Sequence, residues 1–421
     1  MPQEKAHARI SPSKIARILG CPASLTRSED PRIPPDRPNP AAEEGTARHE
    51  EIAMYLEGVI ADKDWSAFSS NNHGPSYFED KTRAAWAMVV SLIQREVSLR
   101  GYSLAQGEMC PAWDEFFVAV GIEEHVYADR ARDIHGTPDF WFITRGPAGW
   151  CLHVCDFKFG YTPVAAERNA QLMTYAKGVL EGLRESPEWG GTPEFDYVVL
   201  HIIQPSFGDI KSWTTTAEGI DNWWAEIAGP GIDQALAPNP GARPTNENCQ
   251  WCRGKLYCPE YRAFADAVAQ RVFAAAGQIE SDTITDDELF SIYDDIPTWK
   301  NYISLVESRV RRILAIGPSH GLKMVRANGK RSWVPDCDAD VLAILDSYAD
   351  QEIEAFKTTL VTAPALLKKY PFLKKNAELM ALVHKAPGKT LKIVPEDDPA
   401  PAVTDNPFAG FEDPEDEEME E

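Results

Sequence analysis

Apolar residues recur at two different periods along the chain, and the changeover between them organises it. "SPSKIARILGC" reads as a short helix with Ser11 as N-cap and Pro12 at the first helical position. "PRIPPDRPNP" (Pro31 to Pro40) is a proline-rich connector that cannot be helix. Helical period resumes from about Thr46 in "GTARHEEIAMYLEG". There His49, Ile52, Ala53 and Leu56 share one face, so the histidine points inward with core residues. A second amphipathic helix covers "TRAAWAMVVSLIQREVSLR". The period then falls to two. "GIEEHVYADRARDI", "GTPDFWFIT" and "GWCLHVCDFKFG" read as successive strands, rich in aromatic and β-branched residues and broken by Gly and Pro. "PVAAERNAQLMTYAKGVLEGL" returns to helix, and "FDYVVLHIIQP" is an apolar run suited to a strand buried on both faces. Helix, several strands, helix, strand: the order predicts a mixed α/β core with a sheet flanked by helices.

Beyond the next cysteine-rich segment the chain reads as mostly helical to about residue 315. "GLKMVRANGKRSWVP" then suggests a strand pair turning at Asn328-Gly329. Short helices lead into the tail. The domains expected are 1–275, a mainly helical accessory region 276–395, and a tail 396–421. Those last 26 residues carry 12 acids and no base, the composition of a solubilising, disordered end or of a docking peptide anchored by Phe408 and Phe411. The tail accounts for about half of the net charge of -23. What remains argues against a broad non-specific DNA-binding surface. It does not argue against an enzyme whose clustered carboxylates are neutralised by cations. No run of about 18 apolar residues suggests a membrane span, and the polar N-terminus lacks the apolar stretch of a secretory signal, so a cytoplasmic location is expected.

Two stretches suggest chemistry. "GTPDF" sets Asp139 at the start of a strand, and "CDFKFG" sets Asp156 and Lys158 two apart on the next, which sends both to one face. On neighbouring strands, two carboxylates and one ammonium would converge. Carboxylate pairs ligate hard Mg2+ or Mn2+, the Phe157 backbone carbonyl offers a further oxygen, and a nearby lysine can hold a water or stabilise charge. The alternative is a surface ion pair with Asp139 closing a turn. Unpaired charge within the apolar "CLHVCDFKF" would be costly unless it served a site.

The eight cysteines are unevenly placed. Cys110, Cys151 and Cys155 lie in apolar, strand-like surroundings and read as small buried hydrophobes. "CQWCRGKLYC" sets Cys249, Cys252 and Cys258 at C-x2-C-x5-C spacing, three ligands of an incomplete metal site; spacing alone leaves zinc and iron-sulfur open.

"GTPD" followed 17 residues later by "DFK" resembles the PD-(D/E)XK nuclease superfamily, in its RecB-like exonuclease branch. "AQLMTYA" matches that branch's Q-x3-Y helix motif, and "GTARHEE" its upstream helix histidine; the resemblance covers roughly residues 10 to 265. It implies a restriction-endonuclease-like core in which His49, Asp139 and Asp156 are metal ligands and Lys158 is the catalytic lysine. Gln171 and Tyr175 would position DNA phosphates and that lysine. The layout "SPSKIARILGCPAS", "EEGTARHE", "GTPDFWF" also resembles an uncharacterised phage and prophage family within the superfamily. Some RecB-like nucleases, the AddB type among them, hold a [4Fe-4S] cluster on one upstream and three downstream cysteines. This resemblance implies Cys21 as the fourth ligand beside Cys249, Cys252 and Cys258, with structural zinc as the alternative. The expected activity is metal-dependent DNA exonuclease action, on single-stranded ends by resemblance, in phage recombination, repair or replication. A single-strand-binding or annealing protein is the partner such a setting implies. The alternatives are an endonuclease or nickase, and a non-catalytic DNA-binding or scaffold factor.

Overall fold

The computed structural model describes residues 8–33, 40–69, 72–102, 104, 111–146, 149–189, 195–280, 284–317, 321–333, 337–348 and 361–395. Cys110 and the acidic tail with Phe408 and Phe411 lie outside them. The chain divides into two compact units, Met1–Asp295 and Ile296–Glu421, so the boundary expected near residue 275 falls inside the first.

The first unit opens with helices α1 (Pro12–Gly20), α2 (Ser24–Arg27), α3 (Pro40–Ala61), α4 (Asp80–Leu99) and α5 (Trp113–Phe116). Strands β1 (Ala119–Ile122), β2 (Val126–Asp129), β3 (Ile134–Gly136), β4 (Phe140–Gly146) and β5 (Gly149–Phe157) follow. Helix α6 (Ala170–Glu185) leads to β6 (Phe195–Gln204) and β7 (Asp209–Thr215), then α7 (Ala217–Trp223), α8 (Gly229–Leu236), α9 (Asn246–Gln250) and α10 (Pro259–Glu280). Helix α11 (Asp286–Ile316) runs across the division between the units.

Five strands form one mixed sheet in the order β1-β4-β5-β6-β7; β5 and β6 are parallel and the other pairs antiparallel. Helix α6 supplies the crossover that a parallel pair requires. Alternation sorts the side chains. Phe140, Phe142, Cys155 and Phe157 pack with α3 and α4 on one face, while Ile143, Leu152, Val154 and α6 residues pack on the other. Each buried aromatic or branched side chain contributes about 1.5–3 kcal/mol, so this two-sided layer holds the strands in register. Cys151 and Cys155 are buried within it, as their surroundings predicted.

Helix boundaries differ from the periodic reading in two places. Helix α3 begins at Pro40, not near Thr46, because proline closes the connector and then serves as a first helical residue. Helix α6 begins at Ala170, not Pro163. The Asn169 side chain accepts from the Gln171 and Leu172 amides and starts the helix there. Strand β7 had no distinct apolar signal: it is an edge strand of alternating half-buried and exposed residues.

The second unit contains β8 (Leu322–Trp333), α12 (Asp338–Asp346), α13 (Ala363–Lys369), α14 (Ala377–Ala381) and β9 (Val383–Pro395). The expected hairpin at Asn328-Gly329 is not formed. β8 runs through that dipeptide as one strand and pairs antiparallel with β9, with irregular register on both sides of Asn328. The turn-forming pair is accommodated as a bulge, since the long-range ladder outweighs one local preference. Val341, Leu345, Leu366, Leu373 and Leu379 form the core of this unit, which therefore includes a β ribbon besides its helices.

Candidate metal centre

Strand register assembles the acidic constellation. Phe140 of β4 faces Cys155 of β5, which brings Asp139, the residue before, beside Asp156, the residue after. Ile122 of β1 faces Phe140 from the other side, and Glu123 follows it. The Glu123 amide donates to the Asp139 carbonyl at 3.2 Å. Glu123 takes a left-handed conformation (φ 47°), which turns the chain out of β1 at this point. Above them α3 presents His49, whose Nδ1 lies 3.1 Å from Asp139 Oδ1. Ligand atoms of His49, Glu123 and Asp139 all lie within 4.8 Å of one another. The three line an open cleft of about 500 Å3 beside α3.

Asp156 and Lys158 project to one face, as the alternation predicted. Lys158 Nζ stands 2.7 Å from Asp156 Oδ2, at an angle that leaves this oxygen without an aligned hydrogen bond. Gln171, on the first turn of α6, ties the group together. Its Nε2 donates to Asp156 Oδ1 at 3.1 Å and lies 3.2 Å from the Tyr175 hydroxyl, and its Oε1 accepts from Lys158 at 3.1 Å. Phe157 points to the opposite face, and its amide donates to Asp139 Oδ2 at 2.6 Å. The rings of Phe157 and Phe159 meet His49 edge-on, at 6.1 and 5.2 Å between centroids.

The electrostatics describe a place crowded with negative charge. Asp156 is buried, and that burial, opposed by Lys158 and reinforced by the Asp139 charge, pushes its carboxyl up to about 6. Burial alone would lower the His49 imidazole; its hydrogen bond to Asp139 and the charges of Asp139, Asp156 and Glu123 outweigh this and raise it. Burial and the Asp156 charge push the Tyr175 phenol up. Three carboxylates, that of Asp156 with a poorly satisfied buried oxygen, and an imidazole form a donor set suited to a hard divalent cation. His49, Asp139, Asp156, Lys158, Gln171 and Tyr175 are thus brought together. Glu123 is the member that sequence reasoning missed. It sits in "GIEEH", which the sequence reads as continuous strand, and adjacent acids at a strand end give no periodic signal.

The cysteines lie close enough for Cys252, Cys21 and Cys258 to act electrostatically on Cys249. Cys21, at the end of α1, and Cys249, Cys252 and Cys258 are all buried. The Cys249 thiol is pushed up to about 11 by burial first, and the charges of Cys252, Cys21 and Cys258 push the same way. Asn248 donates to the Gly20 carbonyl at 3.0 Å across a sequence separation of 228 residues. The Arg243 amide donates to Cys21 Sγ at 3.3 Å. The turn from Arg253 to Tyr257 backs so closely on α2 that a Cβ at Gly254 would collide with the Arg27 carbonyl. Four thiols in one neighbourhood suit a thiophilic metal group.

Among the described residues no helix is long and apolar enough to cross a membrane. Residues 7–401 match the family model described as "Protein of unknown function (DUF2800)", and the chain belongs to that family.

Proposed function

We propose that this protein is a Mg2+- or Mn2+-dependent DNA exonuclease built on a PD-(D/E)XK-type core, acting in end processing during phage recombination, repair or replication. The observation that carries the reading is the meeting of His49, Glu123 and Asp139, within 4.8 Å, with the ion pair of buried Asp156 and half-buried Lys158 at the end of the adjoining strand. When bound, the cation supplies Lewis-acid polarisation of a phosphate and lowers the pKa of water towards neutrality. His49 Nδ1, the three carboxylates and the Phe157 carbonyl are the groups that would hold it. Lys158, steered by Asp156 and Gln171, places a positive charge where negative charge develops on the phosphate oxygens. Gln171 fixes that lysine, and Tyr175 stands against Gln171 on the next turn of α6.

Cys21, Cys249, Cys252 and Cys258 would hold a structural [4Fe-4S] cluster, with zinc as the outcome that metal analysis would return instead. The group would join both ends of the sheet-bearing region and take no part in hydrolysis.

The functional test uses linear and circular single-stranded DNA with Mn2+. Wild type should release nucleotides from linear strands, and Lys158→Ala should not. Cutting of the circle would make the enzyme an endonuclease; DNA binding without turnover would make it a binding factor.

A further inference from the structure

The chain is acidic overall, yet a cation and an exposed aromatic ring are set together beside the metal centre, one ring removed from His49. Phe159 meets His49 edge-on at 5.2 Å, and its carbonyl accepts from Lys81 Nζ at 3.5 Å. The Lys81 ammonium lies 4.3 Å from the centre of the Tyr161 ring. Tyr161 follows Lys158 by three residues and is 74% exposed. Nearby Glu44 and Glu79 are both held by Arg48. Lys81 stands at the start of α4. A single exposed tyrosine is ordinary. One that carries an ammonium against its ring, three residues from a catalytic-type lysine, has the two elements of single-strand recognition: a stacking surface and a phosphate-seeking cation.

We infer that Tyr161 and Lys81 form a gripping subsite for a nucleotide of single-stranded DNA next to the reacting phosphate, Tyr161 stacking on the base and Lys81 pairing with the backbone. This rests on the nuclease reading. Tyr161 belongs, with Lys158, to the loop that leaves β5 after Phe157, so a base held there would keep its phosphate within reach of the metal centre.

The test measures fluorescence anisotropy with a labelled oligothymidylate and with an abasic strand of equal length and charge. Tyr161→Ala should weaken binding of the thymidylate about tenfold and leave the abasic strand unchanged, while Tyr161→Trp should retain both. Lys81→Ala should weaken both and make the salt dependence shallower by about 0.7 in log–log slope. If Tyr161→Ala binds the thymidylate like wild type, or loses equally on both strands, the subsite is overturned. Turnover of the same thymidylate with Mn2+ separates the two claims. Degradation by wild type with an unchanged KM in Tyr161→Ala overturns the subsite alone. Binding through Tyr161 without degradation overturns the nuclease reading and upholds the subsite. A wild type that does not bind DNA overturns both.

Discussion

Asp139 and Phe157 are joined across neighbouring strands by a 2.6 Å hydrogen bond from the Phe157 amide to Asp139 Oδ2. That bond fixes one carboxylate oxygen to the sheet and leaves Oδ1 directed at His49, 3.1 Å away. Backbone pairing therefore positions this candidate ligand set.

If Glu123 completes that set, its removal should be felt in metal affinity. Glu123→Gln is expected to weaken Mn2+ binding by at least about tenfold, the lower end of what even outer-shell losses bring. Its helix and strand content should not change. Titration of Mn2+ followed by electron paramagnetic resonance measures this. Unchanged affinity would remove Glu123 from the centre.

The cysteine set makes a separate prediction about stability. Protein purified without oxygen should contain iron and sulfide and absorb broadly near ~400 nm. Cys249→Ser should lose the colour and lower Tm, since tying Cys21 to the downstream segment closes a very long loop. By loop-closure entropy the constraint is worth on the order of 5 kcal/mol. Stoichiometric zinc with no colour would replace the cluster by a zinc site.

A third prediction concerns acid. His153 and His201 are buried on the sheet face opposite α6, with His153 Nδ1 3.1 Å from His201 Nε2. His201 Nδ1 meets Ser212 Oγ at 2.8 Å, and His153 Nε2 meets Thr144 Oγ1 at 3.2 Å. Arg95 and Glu96 of α4 and Arg100 at its C-terminal cap face them, with Glu96 paired to both arginines and Arg100 donating to Thr144. Burial, His201, Arg100 and Arg95 depress the His153 imidazole; burial, then Arg95, lowers His201 to about 3. Both are neutral when folded and take protons near pH 6.5 when unfolded. Their contribution to stability is thus fully present above about pH 6.5 and falls as the pH drops towards the folded values, by up to about 1.4 kcal/mol per pH unit for each histidine. Asp156 and His49, both raised in the fold, titrate with the opposite sign over the same range, so the histidine part is read as a difference. Urea unfolding between pH 7 and pH 4.5 should show acid removing more stability from wild type than from His201→Asn. Equal slopes would show that the pair is not what titrates.

How much of this was legible depends on whether a feature is local. Asp156 and Lys158 could be read as a pair because strand alternation is a property of neighbours, and the 2.7 Å approach follows from it. Glu123 could not, because its role comes from β1 lying beside β4 and from one left-handed residue after the strand end. Asn328-Gly329 shows the reverse error: a strong local turn signal is overridden by a partner strand that begins at Val383. The α6 start is not legible from periodicity, which extends past the point where the Asn169 side chain caps the helix.

The central claim, cation-dependent phosphodiester hydrolysis at the joined strands, is tested most directly by one comparison. Wild type, Asp139→Asn and Asp156→Asn are incubated with end-labelled single-stranded DNA in Mn2+ or in EDTA, after circular dichroism has shown that each is folded. Degradation by wild type in Mn2+ alone, reduced at least about 10²-fold in both variants, is the predicted result. Equal degradation by all three proteins, or none by metal-loaded wild type, would contradict it.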